Sequence, residues 1–323
     1  MPRTVVVTDH DFTDLAVERS VLDDIADLVV LADSPGEAVP PDGLTDASAV
    51  LNLRSDIDAD HLAAADHCQI VARYGIGVDN VAVEAATEQG IPVTNVPDYC
   101  IEEVATHAVT LLLALSRGLP QYATSIAAGD WDRAAGAPLR RLSTRTVGVV
   151  GYGAIGRRVG QRFDALGADI VASDPFLEPS DTVDDPATLV EFDEVLEQAD
   201  AVTVHSPLTE ATRGLFGTEQ FDRMRDDAVL VNVARGPIID GDALVAALDA
   251  GDIRGAGLDV MPTEPPAATH PLRDHDRAII TPHVAWYSEE ADEERRRRAA
   301  KEVRRAITGE PLEHVQNDIG TEG

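Results

Sequence analysis

Lysine is almost absent from this 323-residue chain: Lys301 stands alone, and every other basic side chain is an arginine. Cysteine is scarce too. Cys68 and Cys100 are too few for a disulfide framework and lack metal-ligand spacing, which fits a reducing, intracellular compartment and gives no reason to expect a metal site. No run of eighteen apolar residues occurs, so no membrane-spanning helix is expected. The opening "MPRTVVVTDH" turns polar after three valines, without the apolar core of a signal peptide, and residence in the cytoplasm is the expectation.

Acid is what the chain has in excess. Asp and Glu number 58 against 26 Lys and Arg, for a net charge of −32 at pH 7. With 44% apolar residues the chain still supports a core, so the acidity is that of a folded surface and not of a disordered tail. Such a charge repels nucleic-acid phosphates and excludes DNA or RNA as a partner. It also repels itself in dilute buffer, and at molar salt, where the Debye length falls to about 3 Å, that repulsion is screened. Acid-rich, lysine-poor globular chains resemble proteins of salt-accumulating halophiles, and salt-dependent stability is expected.

The apolar pattern alternates between short runs and helical stretches, the mark of an α/β fold with parallel sheets. Strands are predicted at "TVVVTD", "ADLVVLA", "ASAVLNL" and "CQIVARY", with helices at 14–25 and 58–66. A long apolar helix follows at 101–117; Gly118 ends it and Pro120 prevents its continuation. A second alternation begins at "TVGVV" (146–150) and adds strands at "ADIVASD", "ADAVTVHS", "AVLVNVA", "RGAGLDV" and "RAIIT". Residues 175–186 read as an acidic, proline-containing loop. The closing "SEEADEERRRRAAKEVRRAITG" carries Asp292–Arg296, Glu293–Arg297 and Glu294–Arg298 at i,i+4 spacing and reads as a solvated helix, not a nucleic-acid patch.

"VVGYGAIGRRVG" places Gly151, Gly153 and Gly156 in G-x-G-x-x-G spacing, after an apolar strand and at the start of a helix. The first glycine permits a tight turn, the second a close approach of backbone to a pyrophosphate, the third close packing of helix on strand. The helix start, with Ala154 and Ile155, offers free N–H groups to phosphate. Asp174 ends the next strand, where a carboxylate hydrogen-bonds an adenine ribose and repels a 2′-phosphate. NAD(H) is therefore favoured. NADP(H) use stays open, because high salt weakens that repulsion.

Hydride chemistry on a carbonyl needs a cation for the substrate, a titratable acid/base and a group that tunes it. Three successive strand ends carry such groups. Arg235 follows "LVNVA", Glu264 lies in "DVMPTEPP", and His283 follows "AIIT". Histidine gives and takes a proton near neutrality, a carboxylate orients it, and an arginine fork binds a carboxylate and polarises the adjacent carbonyl.

With "RYGIGVDNV", "EEVATHAVTLLLAL", "GYGAIG", "HSPLT", "VNVARGPIID", "GLDVMPTEP" and "TPHVAW" in this order, the chain resembles the D-isomer-specific 2-hydroxyacid dehydrogenase family over most of its length. The resemblance implies two Rossmann-like domains with parallel sheets: a flavodoxin-like substrate domain from residues 1–99 and 290–323, and an NAD-binding Rossmann domain from residues 100–289. It implies catalytic roles for Arg235, Glu264 and His283. Backbone at Gly75, Ile76 and Gly77 would hold the substrate carboxylate. Asp259 would help hold the nicotinamide carboxamide, with His205, Pro207, Val233 and Ala234 lining the cofactor site. A homodimer packed through the helix near 101–117 is implied as well. Thr106 departs from the glutamate common at that position; His107 beside it reads either as packing or as pocket lining.

The end of the chain also resembles the subgroup that includes the C-terminal binding protein corepressors, in which a tryptophan at the position of Trp286 borders the substrate pocket. An aromatic wall there, with Tyr74 as a second, suits a 2-keto acid with a sizeable apolar side chain; core packing is the alternative for both. The expected activity is reversible reduction of a 2-keto acid to the D-2-hydroxy acid. The alternatives are a phosphoglycerate or hydroxypyruvate/glyoxylate-type member, and a dinucleotide-sensing binding protein. Formate dehydrogenase is disfavoured, because Glu264 stands where that activity uses an amide.

Overall fold

The computed structural model describes residues 3–182 and 184–319. The chain divides into two compact units, one from residues 1–99 and 288–323, the other from residues 100–287.

The first unit begins with β1 (Arg3–Val7), α1 (Ala16–Leu22), β2 (Ala26–Val30), β3 (Ala49–Asn52), α2 (Ala59–Ala64), β4 (Val71–Arg73), α3 (Val83–Glu88) and β5 (Val93–Thr94). Among the described residues its five strands are parallel, in the order β2-β1-β3-β4-β5. That is the flavodoxin-like winding, whose reversal point lies between β1 and β3. Asp9, fully buried just past β1, ties that point together. Its carboxylate accepts from the amides of Gly36, Leu53, Arg54 and Ser55 and from the Thr8 hydroxyl. Burial alone would raise this carboxyl, but the donors outweigh it and hold it below the ordinary carboxylate range.

The second unit runs α4 (Ile101–Ser116), α5 (Leu119–Ala127), β6 (Thr146–Val150), α6 (Ala154–Ala165), β7 (Asp169–Ser173), β8 (Ala187–Leu189), α7 (Phe192–Gln198), β9 (Ala201–Val204), α8 (Thr218–Arg223), β10 (Val229–Asn232), α9 (Gly241–Ala250), β11 (Gly255–Leu258) and β12 (Ala278–Ile280). Among the described residues its parallel sheet has seven strands, ordered β12-β11-β10-β9-β6-β7-β8. The order reverses between β6 and β9, the crevice where doubly wound sheets bind ligands. Strands β9 and β10 are buried along their whole length, as expected for strands covered on both faces.

The last helix, α10 (Glu289–Thr308), belongs to the first unit and packs on α1, β3 and β4. All three expected i,i+4 pairs form. The solvated-face reading fails for half of the "RRRR" run, however. Arg295 and Arg296 are 1% and 7% exposed. Arg296 grips the fully buried Glu18 through two hydrogen bonds of 2.9 and 2.7 Å and lies over the Phe12 ring, while Arg295 pairs with Asp11 and Asp292. A helix with four consecutive arginines must turn some of them inward, and those two found carboxylates there.

Helix α4 ends where expected, with Gly118 in a left-handed turn (φ 62°), but a second helix follows at once: Pro120 sits in the first turn of α5, where its missing N–H costs nothing. The acidic stretch after β7 holds a short 3-10 turn (Pro179–Thr182) and leads into a short edge strand, β8, that no apolar run foretells. Among the described residues no helix is long and apolar enough to cross a membrane.

Candidate active site

The glycine loop joins β6 to α6 at the sheet's reversal point, and each glycine is required for a different reason. Gly151 has φ +89°, and a Cβ on it would lie 2.6 Å from the Ser206 amide. A Cβ on Gly156 would strike the Gly151 carbonyl oxygen. A Cβ on Gly153 would meet nothing within 4 Å, so this glycine leaves open the space above the N-terminus of α6. Turn, open approach and close packing are what a bound pyrophosphate needs of these positions, and the loop fits a dinucleotide. Ala154 and Ile155 begin α6. Arg157 pairs with Asp185 and lies over the ring of the loop residue Tyr152, 5.1 Å from its centroid, while Arg158 pairs with Glu102 at 2.7 Å.

Asp174 stands just past β7. Its carboxylate accepts from the amides of Tyr152 (2.9 Å) and Phe176 (3.0 Å), so it is held beside the glycine loop with lone pairs to spare. His205 follows β9, its Nε2 at 2.9 Å from the Thr203 hydroxyl. Burial pushes its pKa down to about 3 from 6.5. The residue keeps some surface, but its imidazole is neutral through the physiological range. In acid the unfolded chain protonates this histidine below about 6.5 while the folded chain resists until about 3, so the stability it contributes is lost as pH falls through that window. His205→Asn should move the acid-unfolding midpoint to lower pH; an unchanged midpoint in a circular-dichroism titration counts against this. Pro207 is exposed two residues on, Val233 is 8% exposed at the end of β10, and Ala234 is half-buried.

The three expected catalytic side chains all lie beyond the ends of the neighbouring strands β10, β11 and β12. Arg235 follows β10, and the buried Asn232 shapes its turn: the Asn232 side-chain amide donates to the Arg235 carbonyl at 2.9 Å and accepts from the Ala234 amide at 3.0 Å. Glu264 reaches back to accept from the Met261 amide (2.9 Å) with one oxygen and meets His283 Nδ1 at 2.7 Å with the other. The two side chains are 30% and 28% exposed, so the pair is reachable from solvent yet partly shielded. Gly236 brings the first of these loops against the second: a Cβ there would overlap the Met261–Pro262 backbone.

His283 is held from behind. Its backbone has φ 54°, a left-handed conformation that a non-glycine residue adopts at a cost of about 1–2 kcal/mol. Asp259, 1% exposed, keeps it there. The Asp259 carbonyl accepts from the His283 amide (2.8 Å), and its carboxylate accepts from the amides of Val284 and Ala285 (both 2.9 Å) and the Thr281 hydroxyl (2.6 Å). His107 on α4 completes the chain, with Nε2 at 2.9 Å from that hydroxyl. Since Thr281 gives its single proton to the carboxylate, His107 must donate from Nε2. The open alternatives for His107 resolve into both: it buttresses this network and lines a hollow of about 310 Å³ with Glu103, Thr106 and Tyr287. Asn232 and Thr281 escaped the sequence reading; a polar residue ending an otherwise apolar strand was the available signal.

Tyr74 is a correction. Its ring is fully buried in the first unit, edge-on to Phe12 at 5.6 Å, so it is core and not a pocket wall. Gly75, Ile76 and Gly77 follow it, past the end of β4. Among the described residues no cluster of metal-ligating side chains exists.

Fold and site thus define a doubly wound dinucleotide-binding unit with a histidine–carboxylate pair and an arginine at one edge of its sheet. Residues 109–285, more than half of the chain, match the model of the D-isomer specific 2-hydroxyacid dehydrogenase NAD binding domain, and the chain belongs to that family. It is 39% identical to D-3-phosphoglycerate dehydrogenase of Archaeoglobus fulgidus over 75% of this chain and 46% of the relative. It is 37% identical to glycerate dehydrogenase of Methylorubrum extorquens over 80% and 82% of the two chains. The chain spans about half the length of the phosphoglycerate dehydrogenases it matches. Among solved structures, D-lactate dehydrogenase of Aquifex aeolicus, complexed with NAD and lactic acid, matches with a TM-score of 0.87 and 26% identity over 94% of this chain and 96% of that one.

Proposed function

We propose that the protein is an NAD(H)-dependent D-2-hydroxyacid dehydrogenase: 2-keto acid, NADH and a proton are converted to 2-hydroxy acid and NAD⁺, and the reverse. The observation that carries this is the 2.7 Å His283–Glu264 pair, delivered to the same edge of the sheet as the glycine loop. The bound dinucleotide supplies or accepts the hydride. His283 gives the proton to the carbonyl oxygen in reduction and takes it back from the hydroxyl in oxidation. Glu264 fixes the imidazole's orientation and stabilises its charged form. Arg235 holds the substrate carboxylate and polarises the carbonyl. Asp259 supports the His283 turn and would help hold the nicotinamide carboxamide of a bound cofactor.

The first unit serves as the substrate domain and the second as the dinucleotide-binding domain. Asp174 sets the preference for NAD(H) over NADP(H). In Asp174→Asn the ratio of kcat/KM for NADH over NADPH should fall on the order of tenfold, since a like charge near the 2′-phosphate is removed; an unchanged ratio would contradict the assignment. The acidic surface makes stability salt-dependent, and melting temperatures should rise between dilute buffer and molar salt. A homodimer through α4 is the proposed assembly.

The deciding experiment is a panel of 2-keto acids of increasing side-chain length, with hydroxypyruvate and its phosphorylated counterpart, assayed with NADH and NADPH at high salt. Turnover of any one supports the enzyme and ranks the keto-acid, glycerate-type and phosphoglycerate-type readings. Tight dinucleotide binding without turnover would favour the sensor.

A further inference from the structure

We infer that Trp286 is a positioning residue for His283, acting through its indole N–H, and not primarily a wall that selects substrate. The inference rests on the reading of His283 as the proton donor. The indole Nε1 donates to the His283 carbonyl oxygen at 3.0 Å, closing a loop within the turn that carries the imidazole. That carbonyl belongs to the residue with φ 54°. A strained backbone persists only where its surroundings over-determine it. Asp259 fixes the turn through the amides of residues 283, 284 and 285, all on the donor side. The Trp286 bond restrains the turn at the His283 carbonyl itself, by the orientation of the 283–284 peptide plane.

The geometry of the indole supports the same role. Trp286 is half-buried and packs edge-on against Tyr287, ring centroids 5.4 Å apart at 89°, so its plane is set by a neighbour as well as by the bond. Tyr287 is tied in turn by its amide to the Val284 carbonyl at 2.9 Å. The chain from Thr281 to Tyr287 is therefore a compact knot whose purpose is to aim one imidazole at a fixed point. The imidazole meets Glu264 through Nδ1, and Nε2 is the atom to which the proton exchange is assigned. A rotation of the 283–284 peptide swings the His283 side chain about its own Cα. Proton transfer falls off steeply with such misplacement, whereas binding of the keto acid carboxylate, which Arg235 performs, does not.

The test separates the donor from the shape. Trp286→benzothienylalanine, introduced site-specifically, keeps the bicyclic ring and puts sulfur where the N–H stood; Trp286→Phe keeps an aromatic face without the donor. Both should lower kcat on the order of tenfold with KM for the keto acid within about twofold and the ranking of side-chain lengths unchanged. Amide hydrogen exchange of the 281–287 segment should quicken in both, a readout independent of turnover. A benzothienylalanine protein with wild-type kcat and wild-type exchange overturns the proposal. So does a change confined to the ranking of keto acids, the signature of a wall. If the wild type turns over no keto acid, the functional reading has failed separately, and the exchange measurement still decides whether the indole N–H holds the turn.

Discussion

His283→Ala is expected to slow keto-acid reduction by roughly 10³-fold while leaving NADH affinity within about twofold of wild type. The side chain is placed by backbone, through Asp259, and not by packing into a core, so its removal should leave the fold intact. Nothing in the dinucleotide loop depends on it: Gly151, Gly153 and Gly156 belong to the β6–α6 turn. The effect should therefore appear in kcat alone. Direction of reaction supplies a second check: the donor of the proton in reduction is its acceptor in oxidation, so both rates should fall together in the variant. Near wild-type turnover in either direction would remove the histidine from the mechanism. Glu264→Gln should give a milder loss, because an amide still meets Nδ1 but cannot stabilise a positive charge.

Gly236→Ala should cost on the order of 10² in kcat/KM through a single methyl group far smaller than any functional side chain. The methyl would overlap the carbonyl carbon of Met261, its oxygen and the nitrogen of Pro262. Those are backbone atoms, and they cannot rotate aside as a side chain would. Two loops must then separate: the one that presents Arg235 and the one that presents Glu264. Glu264 is bonded to both the Met261 amide and His283, so its loop cannot move without disturbing the pair. The stability cost of such overpacking is about 1–3 kcal/mol, which leaves a protein to assay. Unlike His283→Ala, this variant should lose substrate affinity and rate together, because the arginine shifts relative to the acid. Wild-type KM and kcat in Gly236→Ala would show that the loops have slack that the structure does not reveal.

Much of the architecture could be read from periodicity, because parallel strands buried on both faces appear as short apolar runs that little else produces. β6, β9 and β10 are of this kind. Short peripheral elements left no comparable trace. β5 has two residues, β8 has three at the sheet's edge, and α3 has six. Such lengths carry fewer than two full periods of any pattern, too few to establish one. α5 was hidden for a different reason: a proline that stops one helix also suits the first turn of the next, and only the left-handed turn at Gly118 separates the two.

Within the site, side chains at strand ends were legible and the bonds among them were not. That Arg235, Glu264 and His283 lie near one another follows from adjacent strands; that Glu264 spends one oxygen on the Met261 amide does not follow from any spacing. Tyr74 shows the opposite failure. It neighbours a loop expected to bind substrate, yet strand alternation points its ring inward, beneath Phe12. Arg295 and Arg296 were hidden by their acidic neighbours in sequence, since the i,i+4 pairs that do form made the whole run look solvated.

The buried grip of Arg296 on Glu18 also bears on how the chain is made. Glu18 lies in α1, near the beginning, and its partner emerges from the ribosome only after the entire second unit. Until then the carboxylate has no cation to meet in its final place, and burying it alone would cost several kcal/mol. Closing α1 over the first sheet before then would leave that carboxylate buried without its cation. The nascent chain thus carries an unfinished lobe through the synthesis of a complete one, and the arginines of α10 arrive as the keystone that lets the earlier residues settle.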